Sequence, residues 1–176
     1  MPTPPHRDPY AAKIADQFGD WEHAKSRYLW QRRVEIALPH LPDAGRVLDA
    51  GCGDRSVIEH CERSRPDLMY IGADLSEVPT GRGIVRSDCR DLPFADRSFD
   101  CVLMLAVIEH VPDQRAALGE AHRVLNPGGT LLLTTPNPLY ALPNAVAGRL
   151  GLKYREGYDN SISLDRLAAM TAEAGL

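Results

Sequence analysis

The sequence has no long apolar run, no paired cysteine spacing and no excess of basic charge. Its longest apolar stretch, Cys101–Ile108, is far shorter than the roughly 20 residues that cross a bilayer, so no stable membrane insertion is expected. The four cysteines include no C-x-x-C pair, which disfavours a metal site and favours reduced thiols in a cytoplasmic protein. The formal net charge of −4 and the scattered basic residues argue against nucleic acid as a partner.

Length and composition instead predict one globular domain. The chain has 176 residues, of which 44% are hydrophobic and 25% charged, as is ordinary for a protein with a sizeable core. Residues 1–9 contain four prolines and are predicted to be a flexible N-terminus. Helical patterns at 10–18 and 21–38 predict an N-terminal helical cover over residues 10–42. Residues 43–176 alternate between strand and helix patterns, which predicts an α/β fold with a mostly parallel, doubly wound sheet.

The strand and helix patterns of this α/β region place each element approximately along the chain. Strands are predicted at 46–50, 69–73, 83–87, 99–105 and 129–135, and helices at 54–64 and 113–125, with a last helix after Ser163. The Asn126–Gly129 segment, with its Pro-Gly-Gly sequence, predicts a turn before the last strand. Ser163 is the expected N-cap of the last helix and Gly175 its C′ residue.

A glycine turn follows the first predicted strand. Asp49 lies where the chain leaves the sheet, and Gly51 and Gly53 begin a sharp turn that leads into a helix. A strand, glycine turn and helix in this order direct backbone N–H groups and a positive helix end toward a nucleotide-type ligand. The dinucleotide pattern G-x-G-x-x-G needs a third glycine where this chain has Ser56, which disfavours an NAD-dependent oxidoreductase.

Distinctive residues also follow the next three strands. Asp74, roughly 20 positions beyond the glycine turn, is suited to accept hydrogen bonds from ribose hydroxyls. Asp88 and Cys89 follow the third strand, and Ala106–His110 follows the fourth. Ligands of doubly wound sheets bind outside these carboxyl ends. The alternative is that the aspartates only cap turns or helices, as aspartate often does.

Together these segments resemble the class I, Rossmann-like S-adenosylmethionine-dependent methyltransferases, in particular the small-molecule group. The matching segments are Val47–Gly53, Gly72–Ser76, Ser87–Phe94, Ser98–Asp100, Ile108–Val111 and Arg123–Gly129. They cover residues 46–137 in the family's order. The resemblance implies about five strands in the order 3-2-1-4-5 with helices on both faces. The family's usual strands six and seven are not expected within this chain.

The resemblance implies S-adenosylmethionine as cofactor and a binding role for nine residues. These are Asp49, Gly51, Cys52, Gly53, Asp74, Leu75, Asp88, Cys89 and Ala106. By the same resemblance, Asp49 and the glycine turn take the methionine part of the cofactor, together with Ala106. Asp74 holds the ribose, Leu75 packs on the adenine, and the Asp88–Cys89 segment meets the adenine edge.

Two further positions bear on cofactor binding and on catalysis, respectively. Arg55 stands where the family often has a third glycine, and it either begins the helix as a solvated residue or reaches a carboxylate. His110 is the candidate base, because histidine changes charge near neutral pH. The alternative for His110 is a structural histidine bonded to a backbone group or to Glu109. Glu109 itself is expected to order the loop.

The expected activity is methyl transfer from S-adenosylmethionine to a small-molecule acceptor by in-line displacement, mainly through positioning. The acceptor is expected beneath the 10–42 cover and a second cover or lid at 138–160. The alternative is a cofactor-binding but inactive or partner-dependent module, since the chain ends one residue after Gly175. An exposed edge of the fifth strand would then favour a homodimer.

Overall fold

The computed structural model describes residues 24–75, 83–136 and 162–176, with the side chains of the first helix from residue 31 onward. Helix α1, Ala24–Ala37, confirms most of the second predicted helix, and a 3-10 turn, Leu38–His40, follows it. The predictions for residues 1–9, the 10–18 helix and the 138–160 cover lie outside the described residues.

The described residues form a five-stranded parallel sheet in the order β3-β2-β1-β4-β5. The strands are β1 Arg46–Ala50, β2 Met69–Asp74, β3 Ile84–Arg86, β4 Phe99–Leu105 and β5 Leu125–Thr134. Both the doubly wound fold class and the strand order are therefore confirmed. Strands β2 and β3 are added on one side of β1, and β4 and β5 on the other, so the order of strand addition switches between β1 and β4. The carboxyl ends of these two strands flank the position at which ligands of such sheets bind.

Helices cover both faces of the sheet because its central strands are apolar on both sides. They are α2 Ser56–Ser64, α3 Gln114–Val124 and α4 Leu164–Glu173. One core cluster joins Leu48 of β1 to Leu118 of α3 and to Ile162. The other joins Val47 of β1 to Ile58 of α2 and Val34 of α1. Consecutive β1 residues thus pack on opposite faces, as the pleat requires.

The start of β5 differs from the prediction. Phe99 pairs with Leu125 but Cys101 pairs with Thr130, so the four β5 residues 126–129 lie opposite the single β4 residue Asp100 and form a bulge with three extra residues. The predicted turn at 126–129 is this bulge, and the strand begins before it rather than after it. The Asn126 amide donates to Asp100 Oδ1 at 2.7 Å, which anchors the bulge to β4. A tertiary contact of this kind is not visible in local sequence.

The last helix has the predicted ends. The Ser163 Oγ accepts from the Arg166 N–H at 3.3 Å. Gly175 has φ +87°, and its N–H donates to the Ala172 carbonyl while the Leu176 N–H donates to Thr171. These two bonds form a Schellman cap. Among the described residues, no helix has the length and apolar character needed to cross a membrane.

Candidate functional site

Asp49 lies in the sheet at the carboxyl end of β1. Its side chain is buried at 2% exposure, and its Oδ2 has no hydrogen-bond partner among the described residues. Burial, with a further contribution from the charge of Asp74, raises the pKa of the Asp49 carboxyl to about 7. A buried carboxylate oxygen without a donor is costly, so this position is suited to a cationic or hydrogen-bond-donating group.

The glycine turn passes directly over the end of β1. Gly51 has φ +95° and Gly53 has φ +50°, a region that costs other residues about 1–2 kcal/mol. A Cβ on Gly51 would lie 2.4 Å from Val107 Cγ2, whereas at Gly53 no described atom beyond the glycine and its two chain neighbours lies within 4 Å of the corresponding position. The Gly51 backbone is therefore packed against a neighbouring loop, and the Gly53 backbone is open to a ligand.

Asp74 reaches from the end of β2 to this turn. Its Oδ2 accepts the Gly53 N–H at 2.7 Å, and the Gly51 N–H donates to the Ala73 carbonyl at 2.7 Å. The turn-capping alternative is thus correct for one oxygen of Asp74. The same bond places the predicted ribose acceptor directly beside the glycine turn, with Leu75 as the next, half-buried residue.

Arg55 occupies a backbone position that favours glycine, because its φ is +73°. This conformation gives a physical reason for the third glycine of the family pattern. The Arg55 guanidinium makes a two-pronged pair with Glu62, with Nη2–Oε1 at 2.6 Å and Nη1–Oε2 at 3.2 Å. The side chain is only 20% exposed, so the carboxylate alternative is correct and the solvated one is wrong.

Asp88 and Cys89 follow β3 beside the end of β2, where the Ser87 N–H donates to the Asp74 carbonyl at 2.8 Å. Partial burial acts to raise the pKa of Asp88, but hydrogen bonds from Arg90 outweigh it and lower the pKa below its usual value. The closest contact, Arg90 Nη2 to Asp88 Oδ2, is 2.6 Å. Burial raises the pKa of the Cys89 thiol to about 12, so the thiol stays neutral.

The loop after β4 has a strained start. Ala106 has φ +60°, and its N–H donates to both the carbonyl and the hydroxyl of Thr134, at 2.9 and 3.0 Å. The 3-10 turn Ile108–His110 follows, and the Gln114 amide donates to the Ile108 carbonyl at 3.2 Å. Within that turn Glu109 is buried and His110 is half-buried.

The structure thus brings the predicted segments after β1, β2 and β4 into direct contact and places the Asp88 segment beside them. Sequence reasoning missed Val107, Thr134 and Arg90. Only the Asp-x-Arg spacing of Asp88 and Arg90 offered a local signal. Val107 and Thr134 have no such signal, because their partners are distant in the chain.

A doubly wound parallel sheet with a glycine turn after β1 and aspartates at three strand ends defines a Rossmann-like nucleotide-cofactor domain. The residues fit S-adenosylmethionine on the chemistry of the site alone. The buried oxygen of Asp49 that has no partner within the described ranges matches a ligand that carries positive charge and an amino group. The open backbone at Gly53 allows the ligand to approach the turn closely.

The chain belongs to the methyltransferase domain family, whose model matches residues 21–176, and it is a class I S-adenosylmethionine-dependent methyltransferase domain. A probable S-adenosylmethionine-dependent methyltransferase of Mycolicibacterium smegmatis is 37% identical over 123 residues, which are 65% of this chain and 48% of that protein. The 27-O-demethylrifamycin SV methyltransferase of Amycolatopsis mediterranei is 32% identical over 162 residues, covering 82% of this chain and 58% of that protein. The chain spans about half the length of the curated relatives it matches.

Solved structures share the fold at low sequence identity. A methyltransferase of Thermotoga maritima, described as a possible histamine N-methyltransferase, has a TM-score of 0.71 and 22% identity, covering 94% of this chain and 79% of that one. The geranyl diphosphate C-methyltransferase of Streptomyces coelicolor has a TM-score of 0.69 and 19% identity, with coverage of 96% and 79%. A shared fold does not by itself determine which molecule is methylated.

Proposed function

We propose that this domain binds S-adenosylmethionine at the carboxyl ends of β1–β4 and transfers its methyl group to a small-molecule acceptor. The proposal rests on the buried Asp49 oxygen, which has no hydrogen-bond partner in the described part of the chain. It lies beside a glycine turn whose Gly53 side is open among the same residues, in a chain of this family. In the proposed site Asp49 and the Gly51–Gly53 turn take the amino-acid end of the cofactor. Asp74 takes the ribose, the Asp88–Cys89 segment the adenine edge, and Ala106 lines the methionine side.

The proposed mechanism relies on positioning. S-adenosylmethionine, when bound, supplies a methyl group already activated by a sulfonium. The protein then needs only to hold the acceptor in line with that methyl, and such orientation is worth effective molarities of about 10⁵–10⁸ M. The buried Asp49 carboxylate contributes a local negative charge, which favours a cationic ligand in a site shielded from water.

His110 is the proposed base for an acceptor that must lose a proton. It is the half-buried last residue of the 3-10 turn after β4, and its backbone N–H donates to the Val107 carbonyl at 2.9 Å. This bond ties His110 to the loop that packs on the glycine turn. The neighbouring Glu109, at 1% exposure, is proposed to order the turn rather than to exchange protons with the acceptor.

The acceptor class is supported by the relatives. Among them are a fatty-acid O-methyltransferase of M. smegmatis and a ubiquinone/menaquinone biosynthesis C-methyltransferase of Desulfotalea psychrophila. We propose that the acceptor binds beside the cofactor, at the carboxyl ends of the described strands. All four cysteines are free thiols, which supports the cytoplasm as the place of action.

A partner-dependent module is the second candidate, because β5 is an edge of the described sheet. Its leucines 131–133 are only half-buried, whereas Cys101–Met104 of the neighbouring β4 are buried. An unpaired edge of this length is a site at which another strand can add. We propose a homodimer through this edge, which a solution mass measurement would reveal as twice the chain mass.

Calorimetric titration with S-adenosylhomocysteine and with NAD tests the cofactor assignment directly. The intact chain should bind the first and not the second. Asp74→Ala should weaken binding about tenfold or more, because it removes the acceptor that orders the glycine turn and meets the ribose. Asp165→Ala, an exposed change on α4, is the matched control. Equal affinity of the Asp74 variant and the control would contradict the site assignment.

A further inference from the structure

The loop after β4 has an unusual backbone conformation at Ala106. Contacts of this loop join the end of β5 to the glycine turn of the proposed site. Ala106 is one of three non-glycine residues with positive φ among the described residues. A left-handed alanine is disfavoured by its own Cβ, so it persists only where neighbouring groups hold it. The surroundings of its backbone therefore determine where the following residues lie.

Thr134, the last residue of β5, supplies both groups that hold Ala106. Its carbonyl and its Oγ1 accept the Ala106 N–H at 2.9 and 3.0 Å. The carbonyl bond is available from any residue at this position. The hydroxyl bond requires threonine or serine, so the side chain of Thr134 has a role of its own.

The conformation of Ala106 directs Val107 onto the glycine turn. The two methyl carbons of Val107 lie 2.4 and 2.9 Å from the position that a Cβ of Gly51 would take. The isopropyl group thus fills the space left by the hydrogen of Gly51 and limits how far the turn can move. The chain of contacts runs from Thr134 through Ala106 and Val107 to Gly51.

We propose that Thr134 is a positioning residue that sets the cofactor turn through Ala106 and Val107. This inference rests on the proposed cofactor site, because the turn matters only if the cofactor binds there. Thr134 is not placed in contact with the cofactor. Its hydroxyl keeps Val107 seated on Gly51, which holds the turn in its binding conformation before the cofactor arrives.

The test is calorimetric titration of the intact chain with S-adenosylhomocysteine. Thr134→Val keeps the side-chain shape and removes the hydroxyl, so affinity should fall about three- to tenfold, the range for one hydrogen bond. Thr134→Ser should restore the wild-type affinity. Thr130→Val, an exposed threonine of the same strand, is the matched control and should leave affinity unchanged.

A double-mutant cycle tests the route of the effect. Val107→Ala removes the contact with Gly51, so adding Thr134→Val should then cost nothing further. Unfolding midpoints without ligand separate this effect from a general loss of folding. The proposal would be overturned if Thr134→Val lowered the unfolding midpoint but left the affinity unchanged. It would also be overturned if Thr134→Val reduced the affinity equally in the wild-type and the Val107→Ala background. If the wild-type chain did not bind S-adenosylhomocysteine, both the proposed function and this inference would be wrong. If the wild-type chain bound it and only the Thr134 effect were absent, the inference alone would be wrong.

Discussion

Replacing Asp49 with asparagine should stabilise the cofactor-free domain at neutral and alkaline pH. The carboxyl is buried beside Asp74, and its pKa rises from 3.8 to about 7. The folded state therefore binds the Asp49 proton more tightly than the unfolded state does. The stability that this proton provides is complete below the unfolded pKa and is lost as pH rises through about 7.

The size of the effect follows from the shift in pKa. A rise of about three units corresponds to about 4 kcal/mol, at 1.36 kcal/mol per unit. The folding stability of the wild-type protein falls by this amount between a pH of about 4 and a pH of about 8. The Asp49→Asn variant shows no such fall at this site, because asparagine does not titrate. The stabilisation by Asp49→Asn should accordingly be under about 1 kcal/mol at the acid end and near 4 kcal/mol at the alkaline end.

Denaturant unfolding at both pH values, without cofactor, measures this difference. Asp100→Asn is a control of opposite sign. Hydrogen bonds from the Arg46 N–H and the Asn126 amide lower the pKa of Asp100. Its stabilising contribution is thus present at neutral pH and lost as pH falls, so this variant should be less stable than wild type at neutral pH. An Asp49→Asn gain of equal size at both pH values would refute the reasoning.

Three other outcomes are expected. His110→Gln should lower turnover at least about a hundredfold with unchanged affinity for S-adenosylhomocysteine, and an equal loss of both would contradict the base role. Arg55→Gly should be more stable than Arg55→Ala by about 1–2 kcal/mol in thermal or chemical unfolding. Both variants lose the ion pair with Glu62, but only glycine relieves the strain of the left-handed backbone. Equal stability of the two variants would argue against that strain. Glu120 accepts the Leu92 N–H at 2.8 Å, so Glu120→Ala should destabilise the fold by about 1–3 kcal/mol, whereas Glu120→Gln should retain part of that bond and lose less.

Much of the fold could be predicted from the sequence because its signals are local. Apolar runs such as the one in β4 predict buried parallel strands, and Ser163 and Gly175 predict the ends of the last helix. The bulge after Leu125 could not be predicted, because a Pro-Gly-Gly segment indicates a turn equally well. The bond from Asn126 to Asp100 decides between the two, and it joins residues in different strands.

The sequence by itself determined the class of site. The glycine turn and the aspartates at successive strand ends are short local motifs, and their order along the chain is enough to identify a nucleotide-type cofactor site. Only the tertiary structure decided how these residues act together. Burial gives Asp49 its raised pKa, strand register brings Asp74 to Gly53, and the end of β5 holds the loop that carries Val107. Burial and packing depend on neighbours that are distant in the chain, and local sequence does not record them.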